Sequence, residues 1–440
     1  MYLRINNKLL TESKQAMWLT DLQRSFMKDL FLITTGFPFP AISMETYLET
    51  ETQYYEEFNS VTVLSMGVRR KTVSQKREIK GNNVRVYPII FASKLFYIFN
   101  GIVVFSDFNF YKELLGLIRS GRFTFRRLIR LIIYVSRSHT DCRKIIKALN
   151  VKKNSKIKNA VLYSYRFEYQ PYVMCLLKKY FENPMMVSRA HRYDLYEERN
   201  SDSYIPLREY LLESLDRVYL ISDDGKDYLA KKYPQYKGKL YVSRLGTLDR
   251  GMPKRDDTKN VFRIVSCSNA VPVKRVDLII DALSMISDLS IEWIHFGGGE
   301  LLDEVKKQAS DKLKNNISFC FKGKQDNKVV LDYYASEDID MFINLSESEG
   351  IPVSIMEAMS FGIPCIATDV GGTREIVKDS NGYLLSDGYK IEEVANIIKH
   401  FAAMPKNQVE EYRKNARDFW NEHYNADKNY KRFVSELMEG

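Results

Sequence analysis

Short β-rich apolar runs alternate with helix-like stretches through most of this 440-residue chain, and that alternation constrains the fold more than any other feature. In the first half the runs are DLFLIT (29–34), VTVLSM (61–66), AVLYSY (160–165), PMMVSRA (184–190) and RVYLIS (217–222). After residue 260 come FRIVSCS (262–268), IEWIHFG (291–297), ISFCFKG (317–323), DMFINLS (340–346) and PCIATD (364–369). Helical stretches such as VDLIIDALSMI (276–286) and LLDEVKKQA (301–309) lie between them. Strand–helix alternation predicts an α/β fold with parallel sheets. The polar, Pro-containing segment MPKRDDTKN (252–260) reads as a linker, which predicts domains at residues 1–250 and 251–415. A last helical region follows Pro405, with Trp420 and Tyr424 as anchors, and residues 416–440 are expected to pack back on the first domain.

Several classes drop out early. Five scattered cysteines without CxxC spacing indicate neither a disulfide framework nor a zinc site. The N-terminal stretch MYLRINNKLLTESKQAMWL lacks the apolar core of a signal peptide, so the expectation is a reduced, cytoplasmic protein. Net charge is +10, but it is local: residues 91–160 hold 15 of the 66 basic and only 3 of the 56 acidic residues, a net +12, which leaves −2 for the rest. The apolar run FASKLFYIFNGIVVF (91–105) in that window is shorter than the roughly 20 residues a spanning helix needs. The stretch that follows, FRRLIRLIIYVSR (125–137), places Arg126, Arg127, Arg130 and Arg137 on one helical face. Leu128, Leu131, Ile132 and Val135 fall opposite. Such a helix suits an anionic membrane surface; the plainer reading is a surface helix whose apolar face is core. No nucleic-acid motif is present.

The second half carries the chemistry. In SESEGIPVSIMEAMSFGIPCIATDVGGTREIV (346–377) a strand ends in a Glu- and Gly-bearing turn, and Pro352 then stands where a helix would start. That helix N-terminus offers backbone N–H groups and a positive dipole end to a phosphate. Glu349 lies just before the helix and Glu357 within it, separated along the axis. The separation allows one carboxylate to reach a sugar and the other a ribose, whereas an acid/base pair would converge on one bond. Asp338–Ile339–Asp340 matches the metal-binding DxD pattern, but it falls at a strand start and reads as a strand edge or turn.

These residues, with VPVKRVDLIIDAL (271–283), HFGGGEL (295–301), Phe321–Gly323 and NGYLL (381–385), resemble the nucleotide-sugar domain of glycosyltransferase family 4. Members of that family are retaining enzymes of the GT-B fold, two Rossmann-like domains facing a central cleft, and the resemblance is to the branch that assembles bacterial polysaccharides. It implies that Glu357 binds the ribose, that Glu349 contacts the donor sugar, and that the N–H groups of Gly350 and Ile351 face the diphosphate. Lys274 matches the diphosphate-binding lysine, with Gly323 beside the donor. The family's usual arginine on the preceding strand end is replaced by the Ser268–Asn269 region. Arg275 could substitute, although neighbouring residues on a helix do not share a face.

In the first half, TTGFPFPAISMETYLETETQYYEEF (34–58) resembles the loop-then-helix that approaches the donor, with Gly36 its only glycine. Glu45 and Glu49 there read as capping or solvated acids. PMMVSRAHRYDLYEERN (184–200) resembles the strand ending in a histidine, which makes His191 a candidate contact to the donor sugar, with Asp194 and Arg189 behind it. The reaction implied is hexosyl transfer with retention, independent of metal and of any cofactor, with Lys274, Glu349 and His191 as the catalytic set. The donor is a nucleotide sugar, UDP-linked in preference to GDP-linked. The acceptor is a glycan, lipid-linked, met at the inner face of a bacterial cytoplasmic membrane through Arg126, Arg127 and Arg130. Two alternatives remain open: a nucleotide-sugar-binding partner subunit without catalysis, and a protein O-glycosyltransferase of the same fold.

Overall fold

The structure is a computed structural model that describes residues 27–40, 45, 47–79, 81, 83–151, 155–255 and 259–439. The N-terminal stretch read above as lacking a leader lies outside them. Two compact units emerge, each built on one parallel sheet.

In the first unit the strands are β1 (Asp29–Thr34), β2 (Ser60–Val68), β3 (Val84–Ile90), β4 (Ala160–Ser164), β5 (Met185–Ala190), β6 (Arg217–Leu220) and β7 (Leu240–Val242), in the order β3-β2-β1-β4-β5-β6-β7. Side chains alternate between the two faces as the pleat requires. Leu30, Leu32, Val61, Val63, Val161 and Tyr163 pack on one side. Phe31, Ile33, Leu162 and Met186 pack on the other, beneath the helices. Because both faces are covered, the strands read as continuous apolar runs. β3 was not expected from the sequence; it carries Pro88 and lies at the sheet edge, where a missing N–H is tolerated.

The second unit holds β8 (Phe262–Cys267), β9 (Ile291–Phe296), β10 (Ile317–Gly323), β11 (Met341–Asn344), β12 (Cys365–Thr368) and β13 (Gly382–Leu385), in the order β10-β9-β8-β11-β12-β13. Ile264, Trp293, Met341 and Ile343 face one core, and Val265, Ile294, Phe342 and Cys365 the other. All pairings are parallel. In both sheets the strand order reverses once, between β1 and β4 and between β8 and β11. At such a point two neighbouring strands send their following loops to opposite sides and leave a crevice for a ligand.

The chain passes into the second unit at Ser243–Arg244, contributes residues 221–225 to it as well, and returns to the first at Tyr430. The described residues of segment 252–260, read above as a linker, lie within the second unit, where Arg255 pairs with Asp338 and Asp340 at 2.7 and 3.0 Å and Lys259 Nζ reaches Asp340 at 2.7 Å. This also accounts for the DxD pattern, whose carboxylates are neutralised by those two side chains. The C-terminal return is shorter than expected. Helix Lys406–His423 stays with the second unit, where Trp420 is fully buried and donates to Thr247 Oγ1 at 2.7 Å. From the final helix, Ala426–Glu439, Phe433, Val434 and Leu437 enter the core of the first unit.

Candidate functional site

The crevice of the second unit is formed by the loops that follow β8 and β11. After β8, residues Ser268–Val271 lead into a turn, Pro272–Lys274, and then into helix Val276–Ser284. Gly297, at the end of β9, packs beneath this loop; a Cβ there would sit 1.7 Å from the Ser268 carbonyl oxygen, so only glycine fits. The loop after β11 is tied to the first one by the Glu347 N–H, which donates to the Val273 carbonyl at 2.9 Å. Asn344 folds the start of this second loop, its Oδ1 accepting from the N–H and Oγ of Ser346. The result is direct contact between two residues the sequence singled out: Lys274 Nζ lies 2.5 Å from Glu349 Oε1. The same oxygen accepts from Asn344 Nδ2 at 3.3 Å.

Gly350 and Ile351 make the turn into helix Val353–Ser360, with Pro352 at its N-cap. A second turn buttresses this one. The Gly372 N–H donates to the Gly350 carbonyl at 2.7 Å, and Gly371, at φ 56°, lies so close that a Cβ would be 2.1 Å from the Glu349 carbonyl oxygen. Glu357 is buried inside the helix, and Asn327 Nδ2 donates to its Oε1 at 2.6 Å. Burial pushes its carboxyl up to about 7, against a smaller lowering by the Asn327 bond. One carboxylate thus faces Lys274 at the mouth of the crevice, and a second sits one and a half helical turns deeper in a drier setting.

The other donor-site expectations fall less evenly. Asn269 is exposed on the loop after β8, and Gly323 closes β10 at φ 66°. Arg275 turns to the end of β11 beside this loop. Its backbone is left-handed at φ 47°, and its Nε donates to the Leu345 carbonyl at 2.8 Å, bracing the end of β11. It lines a separate cavity of about 300 Å3 with Thr368, Val370 and Tyr389.

In the first unit the crevice residues are engaged with one another. Glu45 is buried, neither solvated nor a plain helix cap: its carboxylate accepts from the N–H groups of Thr35, Gly36 and Phe37 at 3.0, 2.9 and 2.9 Å. The N–H of Gly36, the one glycine of this loop, is therefore held by Glu45. Glu49, in contrast, pairs with Arg77 at the surface. His191 directly follows β5, at the N-cap of a short helix, Arg192–Leu195, and is buried. Its Nε2 lies 3.0 Å from the Tyr165 carbonyl, which can only accept, so that nitrogen carries the proton. Burial, then Arg166 and Arg189, hold the imidazole well below its usual pKa and hence neutral. Asp194 accepts from the His191 N–H at 2.5 Å and from the Phe167 N–H at 3.0 Å, fixing the loop. Arg189 points away into the core, where it pairs with Glu51 at 2.5 Å and both side chains are fully buried.

Helix Phe125–Leu149 forms as predicted, but its arginines separate. Arg137 is withdrawn from the open face: it stacks over the Tyr169 ring at 3.8 Å and pairs with Asp141. Arg127 donates to the Asp202 carbonyl at 2.6 Å and Arg130 to Asn200 Oδ1 at 2.7 Å, whereas Arg126 stays exposed. Leu131 and Val135 are fully buried, so the apolar face of this helix is core. Sequence reasoning missed Asn327 and Asn344, which hold the two carboxylates; each comes from a segment whose own pattern carries no sign of chemistry.

Residues 250–419 match the family model described as glycosyl transferases group 1. The O-antigen biosynthesis glycosyltransferase WbnH of Escherichia coli is 30% identical over 155 residues, 34% of this chain and 42% of that protein. The UDP-N-acetylglucosamine–peptide N-acetylglucosaminyltransferase GtfA subunit of Streptococcus agalactiae is 28% identical over 161 residues, 35% of this chain and 30% of that protein. The match thus spans less than half the length of these relatives. Among solved structures, a glycosyltransferase from Rickettsia africae superposes with a TM-score of 0.62 at 16% identity, covering 94% of this chain and 98% of that one. With two Rossmann-like sheets and this neighbour, the fold is GT-B.

Proposed function

We propose that the chain is a retaining glycosyltransferase that moves a hexosyl group from a nucleotide sugar, UDP-linked in preference to GDP-linked, to a lipid-linked glycan in bacterial surface-polysaccharide synthesis. The observation that carries this reading is the Lys274–Glu349 contact in front of helix Val353–Ser360, with Glu357 buried behind it. A diphosphate at that helix end would meet the Lys274 ammonium and the dipole of the first turn, both aimed where charge builds on the departing nucleotide. Glu357 takes the ribose hydroxyls, and Glu349 orients the sugar. Asn269 and Gly323 flank the donor. His191, neutral, contacts the sugar and takes no acid role.

In the transfer itself, the acceptor hydroxyl attacks the anomeric carbon from the face the diphosphate leaves. The anomeric carbon–oxygen bond to phosphate breaks as the new glycosidic bond forms. The hydroxyl proton passes to the departing phosphate oxygen. Charge stabilisation by Lys274 lets this scheme run without a metal or cofactor, in the cytoplasm at the inner face of the membrane. The matched family model and the WbnH likeness support the reading.

A panel of nucleotide sugars, scored for thermal stabilisation and slow hydrolysis with and without EDTA, tests it. The expected result is stabilisation and EDTA-insensitive turnover by a UDP-sugar, lost in Glu357→Ala, and an anomer in the product matching that of the donor. Inversion, or turnover that EDTA abolishes, would overturn it. One relative favours a second reading, transfer to protein: the GtfA subunit's name specifies a peptide acceptor. Adding a Ser/Thr-rich peptide to the panel separates the two. Donor binding with no transfer to either acceptor and no hydrolysis would mark a non-catalytic partner subunit.

A further inference from the structure

Eleven of the eighteen exposed large apolar side chains among the described residues fall between Leu95 and Phe125, in the first unit. They centre on helix Phe108–Arg119 and the turns before and after it. This helix is apolar on two sides. Phe110 and Leu117 are buried in the core. Phe108, Tyr111, Leu115 and Ile118 fall within about 80° of one another on the outer side at 100° per residue, and all four are exposed. Ile102 at 82%, Phe105 at 67% and Phe125 at 70% exposure extend the outer stripe at both ends. Single exposed apolar residues are ordinary, but a continuous stripe of this kind marks an interaction surface.

Charge says what covers it. Lys112 and Arg119 lie on the same helix beside the stripe, both exposed, with Lys112 4.0 Å from the exposed Glu213, and Arg126 stands exposed beyond Phe125, 4.0 Å from Asp202. The acids of this window turn inward: Asp107 accepts from Tyr172 at 2.6 Å and meets His139, Glu113 accepts from Tyr204 at 2.8 Å, and Asp141 pairs with Lys144. The outward face is thus apolar with a cationic border. A second copy brought against it would set cation against cation, whereas anionic headgroups over an apolar interior complement it. We propose that this stripe seats the first unit on an anionic bilayer surface, with Phe105, Phe108, Leu115 and Ile118 in the interfacial zone and Lys112, Arg119 and Arg126 at the headgroups. The contact lies here and not on the arginine face of helix Phe125–Leu149, where Arg127 and Arg130 are bound to residues 200–202. The proposal extends the lipid-linked acceptor reading, but it rests on this surface alone.

Flotation of the full chain with phosphatidylglycerol-containing and pure phosphatidylcholine vesicles tests it. The native chain is expected to partition at least tenfold better onto the anionic vesicles. Phe105→Ser with Phe108→Ser, and separately Lys112→Glu with Arg119→Glu, should each lower that partitioning at least tenfold, about 1.4 kcal/mol. The rise in Tm given by UDP should be unchanged in both, which shows that the variants are folded and keeps this test apart from that of donor binding. Equal partitioning onto both vesicle types overturns the proposal, as does binding that survives both variants. A native dimer that the serine variant converts to monomer also overturns it, by assigning the stripe to self-association.

Discussion

Replacing Glu357 by Gln should stabilise the empty second unit, and by more at higher pH. The buried carboxyl titrates near 7 in the fold, against 4.5 for the free group. Between those values the folded chain holds a proton that the unfolded chain has released, so stability falls as pH rises through the window. The penalty of the native carboxyl is about 1 kcal/mol at pH 5 and about 3 kcal/mol at pH 8, taking roughly 1.4 kcal/mol for each tenfold change in proton affinity. Gln stays neutral throughout and keeps an oxygen for the Asn327 amide, which donates at 2.6 Å. The stability gap between Glu357→Gln and the native chain should therefore widen by about 2 kcal/mol from pH 5 to pH 8, about 5 °C in Tm for a unit of this size. Thermal unfolding without nucleotide across that range reads it. A gap that does not change with pH, or a variant less stable than the native chain at pH 8, would refute the reasoning. Ribose hydroxyls donate to the ionised form, so native affinity for a nucleotide should rise with pH through about 7, and the Gln variant should lose that dependence.

Three other substitutions follow from the same geometry. Lys274→Ala should lower the transfer rate by about 100- to 1000-fold in steady-state assays, the usual loss when one preorganised group stabilising transition-state charge is removed. Gly371→Ala places a Cβ 2.1 Å from the Glu349 carbonyl oxygen at a positive φ, and should cost about 1–3 kcal/mol in urea unfolding while weakening donor binding. In the first unit, Arg189→Met leaves the Glu51 carboxylate buried without its partner and should cost about 3–5 kcal/mol by the same method.

Legibility in the sequence followed locality. Most strands of both sheets were visible because strands covered on both faces are apolar without interruption; Val84–Ile90, Leu240–Val242 and Gly382–Leu385 were not among the runs read, the first because an edge strand with a proline lacks that signature and the other two because they are only three and four residues long. Glu349 and Glu357 could be singled out because the turn and helix start between them can be read directly, and Lys274 because its segment resembles the family's pattern. What holds them could not. Asn327 meets Glu357 across 30 residues, and the Lys274–Glu349 contact spans 75; the second joins the loops of the neighbouring strands β8 and β11, and the first joins two helices whose strands, β10 and β11, are not neighbours in the sheet. Glu45 looked like a helix acid because nothing local shows that three backbone N–H groups turn toward it. Periodicity gave helix Phe125–Leu149 its buried face correctly, but it could not show that residues 200–202 meet Arg127 and Arg130, or that Tyr169 draws Arg137 inward. Helix Phe108–Arg119 hid its outward stripe for a simpler reason: a helix apolar on two sides shows no single period.

Calorimetric titration of UDP and of uridine into the full chain, beside Lys274→Ala and Glu357→Ala, tests most directly the claim that the second unit's crevice holds a nucleotide sugar. Native protein is predicted to bind UDP more tightly than uridine. Lys274→Ala should weaken UDP far more than uridine, because it removes the charge that meets the diphosphate, and Glu357→Ala should weaken both alike. No binding of UDP by the native chain, or binding that neither substitution alters, would contradict the account.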